Sequence, residues 1–411
     1  MPANCLASFL PAPGPGRTLV GGAGKAAVSM AEALIENYRS PVDGVVVTRY
    51  GHVFPRTHEV EDPSRRQGVN GIKILEAAHP VPDQAAIAAG HRILDVARRA
   101  GPTDRFIMLL SGGASALMEC PLPGLTLADI QTVNRQLLSA GADIAQINCV
   151  RKKLSMLKGG RLAVAAEPAE LLLFAISDVP GDDISDIGSG PCSPDATSLA
   201  DAREVLRLFQ CSATPGIWAA LNNPDNETPG ADQSAFDRVS GTIIASASNA
   251  ISAAGDAAQA AGFEPVVLGA DINAPALVLA AEHARLAMRY KRRGGRFALI
   301  SGGETTVRVN NPAGRGGRNT EYLLKLALAL NGAAGIWALA ADTDGIDGTE
   351  SNAGAMIGPD TLRRAELKGL RAAELLANNL SYDFFAGLDD LILSGPTRTN
   401  VNDLRVILVF E

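Results

Sequence analysis

The stretch Arg17–Leu34, RTLVGGAGKAAVSMAEAL, decides the fold class of this chain. Its first residues are typical of a short aliphatic strand, its glycines of a tight turn, and its Ala-rich end of a helix. Aliphatic runs of strand length alternate with helical stretches in the same way along the rest of the sequence. This alternation predicts βαβ units, and therefore an α/β protein with mostly parallel sheets.

Length and composition predict two domains of this kind. The chain has 411 residues, which exceeds one ordinary compact domain, and its 46% hydrophobic content is mainly aliphatic, as buried parallel sheets require. A polar segment rich in Pro, Gly and Asp, Asn222–Phe236, separates the two halves. We therefore predict domains over residues 1–235 and 236–411, with a last strand, Leu404–Phe410, that packs in the second domain or back on the first.

Charge and composition disfavour several classes of protein. The net charge of −7 and the pI near 5.4 disfavour nucleic-acid binding, which needs clustered Lys and Arg. No apolar run approaches the roughly 18–20 residues of a membrane helix, and the start of the chain lacks the charged region of a secretory signal. The five cysteines form no CxxC pair. We expect a soluble cytoplasmic protein with reduced thiols, no nucleic-acid or membrane partner, and small-molecule ligands; a homo-oligomer stays open.

The first glycine turn is a candidate anion site. Gly22 and Gly24 would let backbone amides and a helix N-terminus approach a phosphate, and Lys25 stands at the helix start. The turn lacks the GxxxxGK[ST] pattern of a P-loop. It fits G-x-G-x-x-A loosely, but the next strand ends in Thr48–Tyr50 without an acid for a ribose, which disfavours NAD. The alternative is a turn that serves only helix–sheet packing.

A second signal is a strand followed by Ser-Gly-Gly, which occurs once in each half. The residues are Ser111, Gly112 and Gly113 in the first half, and Ser301, Gly302 and Gly303, followed by Glu304, in the second. Such loops place hydroxyl and N–H groups at the carboxyl ends of strands, where open α/β sheets bind ligands. Two of them favour a bipartite binding cleft over simple tight turns.

Acidic residues also follow two of the predicted strands. They are Asp178 in the first half, and Asp342, Asp344 and Asp347 in the second. Grouped carboxylates suit Mg²⁺, which takes one or two of them together with phosphate oxygens and water. The alternative for each is a turn residue.

Basic residues divide into a candidate clamp and a candidate surface. Arg315 and Arg318 precede a helix in NPAGRGGRNTEYLL, where guanidinium groups would stabilise a transferring phosphoryl group; the alternative is a solvent-facing loop. Lys152, Lys153 and Lys158 surround another predicted helix, and we expect most of that charge to face solvent. The five histidines show no metal-ligand spacing.

Taken together, the motifs resemble the class II glycerate kinases, whose C-terminal part is called the MOFRL domain. In chain order they are GGAGKAA, HPVPD, LLSGGASAL, VRKKLSMLKGGRLA, SDVPGDD, SGGETTV, GRGGRNTE, ADTDGIDG and SGPTRTNVNDL. The resemblance covers nearly the whole chain. It implies two Rossmann-like α/β/α domains with an active site between them, and ATP- and Mg²⁺-dependent phosphorylation of D-glycerate, generally at the 2-hydroxyl.

The resemblance also assigns roles by position. Lys25 and Arg318 match the family's active-site lysine and arginine, while Asp178 is a candidate for base and for metal ligand. Lys153 and Arg398 depart from the family, which usually has His and Gly there, and the added charge would alter substrate contacts. Which domain binds ATP stays open.

Two other functions compete with the kinase. Members of the family have often been labelled hydroxypyruvate reductases, an activity that needs a NAD(P)H site for which this sequence offers only the loose glycine turn. A non-catalytic sugar-phosphate-binding protein would share the glycine loops but leave the acids without a function.

Overall fold

The computed structural model describes residues 5–53, 68–69 and 71–411, and it divides the chain into two compact units, Met1–Ala245 and Ser246–Glu411. Each unit consists of a sheet and helices. The prediction of an α/β protein with two sheets is confirmed. Within the described residues, no helix is both long and apolar enough to cross a membrane.

The first unit is built on a sheet of seven strands. They are β1 Thr18–Ala23, β2 Val42–Arg49, β3 Gly68–Val69, β4 Ile72–Ala77, β5 Arg105–Leu110, β6 Glu170–Ile176 and β7 Val239–Ala245. Their order is β3-β4-β2-β1-β5-β6-β7, and every pair except β3–β4 is parallel. The carboxyl ends of β1, β5 and β6 therefore share one edge. The chain order reverses between β1 and β5, which makes a switch point where parallel sheets bind ligands.

Eight α-helices accompany this sheet in the described residues. They are α1 Ala27–Asn37, α2 Gln84–Arg98, α3 Ala114–Leu117, α4 Leu127–Ser139, α5 Ile144–Lys153, α6 Arg161–Ala166, α7 Leu199–Leu208 and α8 Pro215–Asn222. Capping boxes begin α4, α5 and α7. Helices α4, α5, α7 and α8 bury an apolar cluster of their own, with Leu137, Val150, Leu206 and Ile217 inside, apart from the core on the sheet.

The second unit contains a six-stranded sheet. Its strands are β8 Glu264–Gly269, β9 Phe297–Gly303, β10 Ile336–Asp342, β11 Gly354–Ile357, β12 Leu391–Ile392 and β13 Asp403–Val409, in the order β12-β11-β10-β13-β9-β8. Only the β8–β9 pair is parallel, so the parallel pairing that we predicted holds for the first sheet and not for this one.

The last strand explains this difference. β13 runs antiparallel between β9 and β10, in the middle of the second sheet, and does not extend the first one. Because both neighbours oppose β13, β9 and β10 point the same way. Asp403 is in register with Gly303 on one side and Asp342 on the other. The start of β13 therefore meets the carboxyl ends of β9 and β10 at one edge.

Six helices complete the described part of the second unit. They are α9 Ala247–Ala260, α10 Ala276–Arg293, α11 Arg318–Leu330, α12 Thr361–Leu367, α13 Ala372–Ala377 and α14 Ser381–Leu388. Helices α10 and α11 cover one face of the sheet with buried residues such as Leu323 and Leu326, whereas α9 packs Ile251 against Ala298 and Ile300 on the other.

The unit boundary lies ten residues after the predicted one, at 245/246 instead of 235/236. The polar segment that suggested a linker contains short 3₁₀ turns, Pro224–Asn226 and Ser234–Arg238. β7 follows it and pairs in parallel with β6, so this strand belongs to the first unit.

Candidate active site

The switch point of the first sheet joins the two loops that the sequence singled out. The Lys25 backbone N–H donates to the Gly112 carbonyl at 2.9 Å. The Ser111 hydroxyl accepts from the Ala26 N–H, also at 2.9 Å. The first turn of α1 and the Ser-Gly-Gly loop after β5 are therefore fixed to each other. Lys25 lies at the carboxyl edge of the sheet, between the end of β1 and the start of α1.

Glycine is required at two points of this contact. Gly24 has a φ of +130°, and a Cβ there would overlap the Ser111 hydroxyl. At Gly113, with a φ of +85°, a Cβ would lie 2.9 Å from the His79 ring. Gly22, in contrast, lies inside β1, where a Cβ would come within 2.8 Å of Val46 Cγ1. Gly22 is therefore needed for packing inside the sheet and not for an anion-binding turn, which begins at Gly24.

Asp178 follows β6, at the same edge as Lys25. Strand β5 lies between their two strands, so the positions are separated by two strand spacings, on the order of 10 Å. A series of side-chain hydrogen bonds, which sequence reasoning missed, connects the segment after Asp178 to the helix after β5. The Ser115 and Ser189 hydroxyls are 2.9 Å apart, and Ser189 donates to Asn148 Oδ1 at 2.9 Å. Isolated Ser and Asn residues gave no sequence signal for it.

The lysines expected to face solvent are buried. Lys153 has no exposed side-chain surface, and its Nζ lies 3.0 Å from Asp195 Oδ2 and 2.7 Å from Glu227 Oε1. Lys158 is equally buried and pairs with Glu119. The prediction of a solvated basic face is wrong here because each charge has an acidic partner far away in sequence. Lys153 is thus a structural residue of the first unit.

In the second unit, Arg318 joins three acids. It begins α11, and its Nε donates to Asp403 Oδ1 at 2.9 Å, one terminal nitrogen to Asp342 Oδ2 at 2.7 Å, and the other to Glu304 Oε1 at 2.7 Å. The register of β9, β10 and β13 brings these acids to one edge. Arg318 is therefore a fixed, preoriented guanidinium.

The electrostatics of this group favour a further positive charge. Burial, followed by repulsion from Asp344 and Asp403, raises the pKa of Asp342 to about 8. Burial by itself would lower the pKa of Arg318. The attraction of its guanidinium to Asp403, Asp342 and Glu304 outweighs burial and raises the pKa above its usual range, so the arginine stays charged. The acids here outnumber the nearby guanidinium groups of Arg318 and Arg405.

Sequence reasoning missed Asp403 and Arg405. Asp403 has no exposed side-chain surface and also pairs with Arg405 at 2.6 Å. In a parallel sheet, the start of the last strand would lie at the edge opposite to Asp342. Because β13 is inserted antiparallel, Asp403 lies at the same edge as Asp342. The local sequence indicates these residues only by two charges, Asp403 and Arg405, at the start of an apolar run.

The second Ser-Gly-Gly element is not a loop. Ser301–Gly303 are the last residues of β9, which corrects the expectation that they follow the strand. A Cβ at Gly302 would lie 2.8 Å from the Ala270 carbonyl. The carbonyls of Gly302 and Gly303 accept from Arg405 at 2.9 and 3.1 Å. These residues position Arg405 and a neighbouring backbone segment, and they do not offer a cradle of N–H groups.

Asp347 has a structural role. It is buried and accepts from the backbone N–H groups of Asn319 and Thr320 at 3.0 and 2.9 Å, and from the Thr320 hydroxyl at 3.0 Å. It therefore anchors the N-terminus of α11. These bonds to the start of α11 give Asp347 a structural role, and we do not include it among the metal ligands proposed below.

Arg315 is held by surface acids. Its guanidinium lies 2.9 Å from Glu350 and 2.8 Å from Asp383, and it stacks over the Tyr382 ring at 4.5 Å. About half of its side chain is exposed. Of the two arginines in the predicted clamp, only Arg318 joins the acidic edge of the sheet.

The described residues contain no group of three or more His, Cys, Asp or Glu side chains arranged to hold a metal. Asp342 and Asp344 nevertheless share one turn, in which the Asp344 N–H donates to Asp342 Oδ1 at 2.9 Å. Two carboxylates match the donor set of a Mg²⁺ ion that takes its other ligands from phosphate and water. The surplus negative charge around Arg318 also fits a divalent cation.

Two families match this chain. A family described as a domain of unknown function (DUF4147) matches residues 2–222, and the MOFRL family matches residues 297–403. Together they account for most of both units.

Relatives cover nearly the full length. A protein of Agrobacterium vitis, provisionally named hydroxypyruvate reductase, is 45% identical over 96% of this chain and all of its own. The D-glycerate 2-kinase of Thermotoga maritima is 35% identical over 96% of this chain and 91% of its own. A crystal structure of glycerate kinase from Thermotoga maritima superposes with a TM-score of 0.86 at 34% identity, covering 99% of this chain and 95% of that one.

Proposed function

Because the chain belongs to the glycerate 2-kinase family, with its DUF4147 and MOFRL regions, we propose that it phosphorylates D-glycerate with ATP. The 2-hydroxyl oxygen of glycerate forms the new bond to the γ-phosphorus, and the bond from that phosphorus to the β–γ bridging oxygen breaks. The products are 2-phosphoglycerate and ADP. The guanidinium of Arg318, fixed by three acids at the edge of the second sheet, carries this proposal.

Arg318 is suited to a phosphoryl group that gains charge as it transfers. A guanidinium has five N–H donors, and three of those of Arg318 are used by acids within the described residues. Two remain for phosphate oxygens. Glu304 is the exposed partner and can move aside, whereas Asp403 and Asp342 are buried and keep the group aimed. Preoriented donors of this kind stabilise transition-state charge without reorganising.

Asp342 and Asp344 are the residues that we propose to hold Mg²⁺. A bound Mg²⁺ neutralises charge on the phosphate oxygens. A cation there would also offset the repulsion from Asp344 and Asp403, which adds to burial in raising the pKa of Asp342. Asp344 supports the turn, since its own Oδ1 accepts from the Ile346 N–H at 2.9 Å.

In the first unit, we assign Lys25 to an anionic group of the substrates and Asp178 to the proton of the attacking hydroxyl. Lys25 is fixed by its backbone bond to Gly112 at the switch point, with its side chain half-buried. Asp178 follows the strand beside β5, at the same edge. Asp178 accepts the proton that the hydroxyl loses as the oxygen–phosphorus bond forms.

We also propose a cytoplasmic location for the protein. Its five free cysteines support this, because thiols stay reduced in the cytoplasm.

A coupled assay separates this activity from reduction of hydroxypyruvate. ADP formation from MgATP should depend on D-glycerate, and the protein should not oxidise NADH when hydroxypyruvate is added. NADH-dependent reduction would need an acid for the ribose of the nucleotide, and β2 ends at Arg49 without one. Oxidation of NADH or NADPH with no glycerate-dependent ADP would overturn the proposed function.

A further inference from the structure

A cavity of about 370 Å³ lies wholly within the second unit, beside Arg318. Val307, Val309 and Pro312 supply apolar wall on the loop before α11, and Glu321 and Asn379 supply polar groups. Its volume falls within the roughly 300–1,000 Å³ typical of sites for small molecules. A three-carbon acid would leave most of this space unfilled.

The glycines of GRGGR make the cavity a rigid feature. A Cβ at Gly316, which has a φ of +151°, would overlap the Ser381 hydroxyl, and a Cβ at Gly317 would overlap the Asp347 carboxylate. The loop backbone therefore packs directly against α14 and the segment after β10. Close packing of this kind forms the wall before any ligand binds, so a ligand would not have to order the loop.

The polar end of the cavity is also built. Glu321 is 4% exposed and accepts from the Asn379 side-chain amide. Asn379 in turn accepts from the Asn310 N–H at 2.8 Å and the Asn311 N–H at 3.2 Å, which fixes the loop. Thr305, another lining residue, is 3% exposed, and its hydroxyl has no hydrogen-bond partner among the described residues. The carboxyl group and the hydroxyl provide hydrogen-bonding capacity for a ligand that carries neutral polar groups.

The charge of the cavity selects between the two substrates. An acid at its polar end disfavours the glycerate carboxylate but suits the hydroxyls of a ribose, which donate to a carboxylate. The apolar walls suit a flat base. Arg318 lies at the boundary of the cavity, where phosphates attached to that ribose would reach its two remaining donors.

We propose that this cavity binds the adenosine part of ATP, with the ribose hydroxyls at Glu321 and Thr305 and the phosphates directed to Arg318. This assignment rests on the proposed kinase function and adds to it the unit and the residues that bind the nucleotide. It predicts that nucleotide affinity depends on the cavity, whereas glycerate affinity does not.

Filling the cavity tests the assignment. Val309 lines it and is 67% exposed, so Val309→Trp should fold and should weaken MgATP binding at least tenfold by titration calorimetry, with the KM for glycerate changed less than twofold. Leu367→Trp is the matched control, since Leu367 is 76% exposed and is not one of the cavity-lining residues. Near-wild-type MgATP affinity in a folded Val309→Trp protein would overturn the proposal.

A second variant tests the ribose contact. The wild-type protein should bind ATP more tightly than 2′,3′-dideoxy-ATP, and Glu321→Gln should lose at least fivefold of that preference. An unchanged preference in Glu321→Gln, with the thermal unfolding midpoint retained, would contradict the contact. A loss of glycerate affinity instead of ATP affinity would assign the cavity to the acceptor and would also reject the proposal.

The binding and turnover measurements distinguish failure of the cavity assignment from failure of the kinase proposal. If the protein binds MgATP and the variants respond as expected, but no glycerate-dependent ADP forms, the cavity assignment stands and the kinase proposal falls. If ADP forms with glycerate and neither variant changes nucleotide binding, the kinase proposal stands and the cavity assignment falls.

Discussion

Arg318 is the residue on which the candidate chemistry depends most. Its planar fork donates in different directions to Asp403, Asp342 and Glu304, a geometry that a lysine ammonium on a flexible stem does not reproduce. Arg315, three residues earlier, makes a similar number of ion pairs but only with surface acids. The two arginines therefore form a natural pair of test and control.

Arg318→Lys should lower kcat by about 10²–10³, because it removes donors aimed at the transferring group while keeping the charge. Arg315→Lys should stay within about threefold of wild type. Steady-state kinetics at saturating MgATP and glycerate, with thermal unfolding to check the fold, measures both. Equal losses in the two variants would mean that Arg318 has no special role.

His283 is a buried titratable group with a predictable effect on stability. Its ring nitrogen Nδ1 is 2.8 Å from the Tyr322 hydroxyl, and burial, followed by repulsion from Arg405, lowers the pKa of His283 to about 4. The unfolded chain takes up this proton near pH 6.5 and the folded one only near pH 4. The stabilising contribution is therefore complete above pH 6.5 and is lost as the pH falls towards 4.

At pH 5, protonation of His283 in the unfolded state should cost about 2 kcal/mol of stability relative to pH 7 and above. His283→Gln, which stays neutral, should show a drop smaller by about that amount. Chemical unfolding of the second unit at pH 5 and pH 7 measures the difference. Parallel pH profiles for wild type and variant would contradict the assigned pKa.

At the scale of elements, the turn between β1 and α1 depends on a contact with another loop. Gly24 fits because a Cβ would overlap the Ser111 hydroxyl, and Ser111 in turn accepts from the first turn of α1. Gly124 also has a positive φ, +88°, but nothing lies within 4 Å of a Cβ placed there. A substitution at Gly124 therefore tests the effect of the positive φ alone, whereas one at Gly24 tests the positive φ together with the loop contact.

Gly24→Ala should lower the free energy of unfolding of the first unit by about 2–4 kcal/mol and reduce kcat, because the Ser-Gly-Gly loop must move. Gly124→Ala should cost about 1 kcal/mol, from the positive φ alone, and leave kcat unchanged. Unfolding curves and steady-state rates test the pair. A Gly24→Ala protein with wild-type stability and rate would show that the loop contact is dispensable.

The elements that the sequence predicted best are those with local signals. Glycine turns and buried aliphatic runs locate β1, β5, β6 and β10 and the residues at their carboxyl ends, including Lys25 and Asp342. The direction of β13 has no such signal, since pairing between distant strands decides it. Asp403 and Arg405 were missed for that reason, and Ser301–Gly303 were assigned to a loop.

At the scale of the whole molecule, composition and alternation were sufficient for two α/β units, but charge burial was not predictable. Lys153 and Lys158 look like surface residues in the sequence, yet both are buried against acids that fold next to them. The reverse holds for Arg315, a predicted clamp residue that pairs with acids at the surface. A charged side chain reveals its role only when its partners are known.

The product that the protein makes from D-glycerate and MgATP distinguishes a glycerate 2-kinase from a reductase. Phosphorus NMR of the reaction mixture should show 2-phosphoglycerate and ADP in equal amounts, with no signal from 3-phosphoglycerate. Incubation of the same protein with hydroxypyruvate and NADH should leave both unchanged. Absence of any phosphorylated glycerate, together with consumption of hydroxypyruvate and NADH, would show that the protein is a reductase and not a kinase.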